Sequence, residues 1–188
     1  MFGQDIIPYL PEHVRPFAEQ LRQLPAGYEK WVYAASLPPE IYQGDVFNQV
    51  AFASLDEDGG IIRFEPLGMV ISNTCDVQPG QGETLLVAPI FDLEDYREHS
   101  ELEEEALENH IRALTENKIS QLMFLPEGPG LRRSFVDFGK ICSISLSFFH
   151  ADRGQKRLIS LSQPGHYFLL VKLAHHFCRP EARDSSRK

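Results

Sequence analysis

From Gly44 to Ile90 the chain runs as short apolar segments parted only by turn-forming residues, with no stretch between them long enough for a helix. That pattern predicts strands joined by hairpins and short turns, because parallel neighbours need crossovers of a dozen or more residues. Asp45 to Phe52 is an apolar-weighted segment. Asp56-Glu57-Asp58-Gly59-Gly60 is a turn, and Ile61 to Phe64 returns as a hairpin strand. Leu67 to Ser72 is a buried strand. Pro79-Gly80-Gln81-Gly82 turns the chain into another at Thr84 to Pro89.

Further strands are predicted at Gln121–Leu125, Ser134–Phe138, Lys140–Phe149 and Arg157–Leu161. Three amphipathic helices flank them. One ends near Leu24, with Val14, Phe17, Ala18, Leu21 and Leu24 on one stripe. A second runs from Glu98 to Asn117, with Leu107, Ile111 and Leu114 facing inward. The third runs from Ser162 to Cys178, with Leu169, Leu170, Leu173, Ala174 and Phe177 as its inner face. The expected fold class is mainly β with peripheral helices, as a compact barrel or strongly bent antiparallel sheet. Its organisation is a helical arm over 1–38, a β domain over 39–180 with a helical insertion at about 94–119, and a polar tail over 181–188.

With 188 residues and 43% hydrophobic content, the chain is large enough for one real core. No apolar run approaches the roughly 20 residues of a membrane helix, and the start lacks the pattern of a secretory signal. Three scattered cysteines argue against a disulfide framework. A cytoplasmic protein with reduced thiols is expected.

The net charge of −9 conceals a segregation. Nine acids and one base, Arg97, lie between Asp92 and Glu108, while six bases face two acids between Gly128 and Ser160. Segregated charge can steer a partner.

The candidate site is the loop Ser72-Asn73-Thr74-Cys75-Asp76, where a buried strand ends in small polar residues. It places Cys75 and Asp76 as candidate catalytic residues at the mouth of a pocket. Cys75 would be a nucleophile if a histidine approached it in space. Asn73 and Thr74 would hold the loop, and Asp45 either bonds its own turn or lines the site. Arg63, Arg132 and Arg133 are candidate binding residues. No metal-ligand spacing, P-loop or dinucleotide fingerprint is present, so neither metal nor cofactor is expected.

The order Gly44-Asp45-Val46-Phe47, a variable hairpin, Met69-Val70-Ile71-Ser72, then Leu85-Leu86-Val87-Ala88-Pro89-Ile90 resembles the core of the MazF/PemK-like toxins. The resemblance covers about half of the chain and implies an SH3-like barrel. For active members it also implies metal-independent cleavage of single-stranded RNA. Active members usually carry Arg-Pro before the Val-Ile-Ser strand and a hydroxyl after the Pro-hydrophobic pair. Here Pro66-Leu67-Gly68 and Phe91 stand in those places. The expectation is therefore a diverged binding module of a toxin–antitoxin or defence system. It would bind single-stranded RNA or an antitoxin-like protein, and a homodimer is among the expected partners. The alternatives are an active endoribonuclease and a small hydrolase using Cys75.

Overall fold

A computed structural model describes residues 28–37, 39–78, 82–147 and 156–177. The expected N-terminal helix, the tip of the turn at 79–81, Arg153, Cys178 and the polar tail fall outside them. Among the described residues lie β1 (Val46–Phe47), β2 (Phe52–Leu55), β3 (Ile61–Phe64), β4 (Leu67–Val70) and β5 (Thr84–Asp92). Then come α1 (Leu93–His99), α2 (Glu104–Thr115), β6 (Leu122–Leu125), β7 (Ser134–Asp137), β8 (Cys142–Ser145), β9 (Arg157–Ile159) and α3 (Gln163–Phe177).

All strand pairs are antiparallel, as the hairpin pattern requires. The main sheet follows the order β6-β7-β5-β4-β1-β9, with β8 also on β5. The nine-residue β5 organises it. One edge of β5 pairs with β4 from Val87 to Ile90. Its other edge changes partner along its length, holding β8 from Thr84 to Val87 and β7 from Ile90 to Asp92.

Successive β-strand residues point to opposite faces, and here both faces are buried. Val46, Met69, Ala88 and Ile90 enter the larger core, while Phe47, Val70, Leu85 and Val87 enter the smaller one. Burial on both faces explains why these strands read as continuous apolar runs instead of strict alternations.

Several sequence expectations need correction. The barrel is not closed among the described residues, and helix and strand are nearly balanced at 30% and 31%, so the fold is mixed instead of mainly β. Helices occupy the open side: Leu107, Ile111 and Leu114 of α2 and Phe168 and Leu169 of α3 share the larger core with β6 and β7.

The expected helix from Glu98 to Asn117 is two helices. Asp92 caps α1 by accepting from the backbone N–H of Glu94 (2.9 Å) and Asp95 (3.0 Å), so helix starts earlier. Ser100 then turns extended and ends α1. The expected strand from Asp45 to Phe52 is likewise split, because Gln49 adopts a left-handed φ of 52°. β2 and β3 form a separate ribbon. Of the strand placed at Lys140–Phe149, the described residues to 147 form strand over Cys142–Ser145, and Phe177, expected on the inner face of α3, is 61% exposed.

Candidate functional site

The 72–76 loop leaves the end of β4 as expected, with Cys75 and Asp76 exposed. Asn73 Oδ1 accepts from the Cys75 backbone N–H (3.2 Å), a local bond that shapes the turn. Thr74 Oγ1 accepts from the Gln43 backbone N–H (3.2 Å). Gln43 Nε2 donates to the Ile71 carbonyl (2.6 Å), which turns its Oε1 toward His166 Nε2 at 2.9 Å. An amide oxygen only accepts, so His166 carries its proton on Nε2. Burial pushes the His166 pKa down. The histidine that comes nearest the loop in bonding terms is thus committed to Gln43. Among the described residues no histidine is hydrogen-bonded to the Cys75 thiol.

Asp45 bonds its own turn, accepting from the Tyr42 backbone N–H (2.9 Å). It is fully buried, and it also accepts from Arg157 Nη1 (2.8 Å) and Ser160 Oγ (2.5 Å). Arg63 is exposed on β3 opposite Ala53. Arg133 is exposed, with its guanidinium 5.6 Å from the centre of the Phe124 ring. Of the predicted site residues, Arg132 alone lines the cleft described next.

That cleft encloses about 790 Å³ between the β5–β7 face of the sheet and helices α1 and α2. Its floor follows from strand register. Phe91 lies directly across from Phe135, so both rings stand on one face. Their centroids are 5.8 Å apart. Phe64 stacks on Phe91 at 6.2 Å, and Tyr96 of α1 meets Phe135 edge-on at 5.4 Å. His110 of α2 continues the row, 5.7 Å from Tyr96. Phe135 is buried beneath the half-buried Phe91 and Tyr96, which offer ring surface to the cleft.

The rim is charged. Arg132 Nε contacts Asp92 Oδ2 at 2.8 Å and its Nη2 lies 3.4 Å from Asp95, which fastens the loop before β7 to the start of α1. Lys140 Nζ sits 5.1 Å above the centre of Phe91. Four carboxylates line the cleft, from Glu65, Asp92, Asp95 and Asp137, against these two cations. Of the six bases in the basic stretch, Arg157 is held by the buried Asp45, while Arg132 pairs with Asp92 and keeps its side chain 69% exposed at the rim.

Phe91, Tyr96, Phe135, Asp137 and Gln121 were not singled out from the sequence. A usable signal existed: Phe135-Val136-Asp137 ends an apolar strand in an acid that shares a face with Phe135. Among the described residues, no group of three or more His, Cys, Asp and Glu is placed to hold a metal ion. No family model, curated protein or solved structure matches the chain.

Proposed function

We propose that this protein is a binding module for single-stranded RNA, a diverged MazF/PemK-like barrel of a toxin–antitoxin or defence system whose ligand site is the aromatic cleft. The row of rings that lines the cleft, from Phe91 through Phe135 and Tyr96 to His110, carries the reading. Unpaired bases stack on such platforms, and each stacked base contributes about 1–3 kcal/mol. Arg132 and Lys140 stand at the rim, where a phosphate beside a stacked base would meet them. A base entering over Phe91 displaces Lys140 toward that phosphate.

The likeness is supported by the segments that carry it, since β1, β4 and β5 lie side by side as antiparallel neighbours. Binding is favoured over cleavage because Asp45 is fully buried and held by Arg157 and Ser160.

The test is fluorescence anisotropy with a short labelled single-stranded RNA at low salt. Wild type and Cys75→Ala bind alike. Phe91→Ala and Tyr96→Ala each weaken binding roughly 5- to 100-fold while remaining folded by circular dichroism. RNA that fails to bind the wild-type protein at low salt overturns the reading.

A further inference from the structure

We infer that the cleft selects guanine, with Asp137 as the residue that reads the base. This rests on the RNA-binding reading and adds a base preference to it. Asp137 is 93% buried by its 7% exposure, yet it lines the cleft at the end of β7, on the same face as Phe135. Two residues along a strand separate their side chains by roughly 7 Å, about the width of a base stacked on the neighbouring rings.

The carboxylate is held by one oxygen. Asp137 Oδ1 accepts from Gln121 Nε2 (2.8 Å) and from the Gly139 backbone N–H (2.9 Å). Its Oδ2 makes no hydrogen bond among the described residues and is not sealed from the cleft. A nearly buried acid with one accessible, unpartnered oxygen beside a ring-lined cavity is placed to accept from a donor on a bound ligand. Gln121 is the positioning residue, since its bond to Oδ1 turns Oδ2 outward. Gly139 makes that bond possible: a Cβ there would lie 2.4 Å from Gln121 Nε2.

A carboxylate only accepts. Guanine is the base whose Watson–Crick edge sets two donors side by side, N1–H and the N2 amino group. Adenine and cytosine each place one amino group beside an acceptor, and uracil sets one N–H between two acceptors. A carboxylate oxygen can accept one bond from the amino group of adenine or cytosine, against repulsion from the acceptor beside it, whereas guanine offers two adjacent donors.

The probes are five labelled RNA pentamers, UUGUU, UUIUU, UUAUU, UUCUU and UUUUU, where I is inosine and lacks the N2 amino group. Wild type binds UUGUU roughly 10- to 100-fold more tightly than the A, C and U pentamers, with inosine between them. Asp137→Asn brings UUGUU within a few-fold of the others while stacking-driven binding persists. Gln121→Met, at an exposed position that leaves the fold intact, lowers the G preference in the same direction. Equal binding of all five pentamers, lost in Phe91→Ala, keeps the stacking reading and overturns the guanine inference. Failure of every pentamer overturns both. Tighter binding of N-acetylarginine amide than of UUGUU also overturns it, because the cleft would then read a protein side chain.

Discussion

Three donors converge on Asp45: the Tyr42 backbone N–H, Arg157 and Ser160. Removing one partner of a buried pair leaves the other charge stranded, at a cost of about 3–5 kcal/mol. Asp45→Ala is therefore expected to lower stability by about that amount in urea unfolding, whereas Asp76→Asn in the exposed loop changes it by less than about 0.5 kcal/mol. Lys172 makes the opposite point about charge. It is fully buried on α3, and its Nζ donates to the carbonyls of Asn117 (3.3 Å) and Ile119 (2.5 Å). Burial pushes its pKa down from 10.5 to about 7. Between those two values the unfolded chain holds a proton that the folded chain releases. Stability from this group therefore rises with pH across that window, by at most about 1.4 kcal/mol per unit, and is flat below it. Lys172→Met should flatten the pH dependence of urea unfolding between pH 7 and 10. An unchanged slope would mean that the ammonium stays charged in the folded state.

Among the elements, α1 depends most on a single side chain. It has seven residues, too few to be stable alone. Asp92 caps it with one oxygen and holds Arg132 with the other. Asp92→Ala removes both and should cost about 1–2 kcal/mol in thermal unfolding. It should also weaken RNA binding, because Tyr96 and Arg132 lose their common anchor. A variant that binds RNA as wild type does would separate α1 from the cleft's function. The turn at 56–60 with its return strand β3, the strands β4 and β5 and the helix α3 were legible because turn residues and apolar runs mark them locally. The start of α1 was not. Asp92 belongs to a long acidic run, where a capping aspartate looks like one more solvated charge. The break at Ser100–Glu103 was hidden for the same reason, since the apolar stripe of α2 continues past it in helical phase.

At the scale of the whole molecule, the candidate site was only partly readable because it is assembled from distant segments. Phe64, Phe91, Tyr96, His110 and Phe135 meet only through sheet register and helix packing, and neither is encoded in local spacing. The 72–76 loop follows the end of β4, as expected, but it does not line the cleft. Charge in the sequence misled in another way. A basic stretch suggests a cationic track for a polyanion, and binding along it would lose affinity steeply with salt. In the fold, Arg132 pairs with Asp92 and Arg157 with Asp45. The cleft itself carries more carboxylates than cations. Affinity must then come mainly from stacking, which salt barely touches. With Arg132 and Lys140 as the two phosphate contacts, log K should fall with log salt with a slope of about −1.4 or shallower for single strands. All six bases of the stretch acting together would give about −4. Anisotropy titrations across a range of potassium chloride concentrations measure the slope directly. A slope near −4 would place RNA on the basic surface instead of in the cleft, and Lys140→Ala should make the shallow slope shallower still by about 0.7.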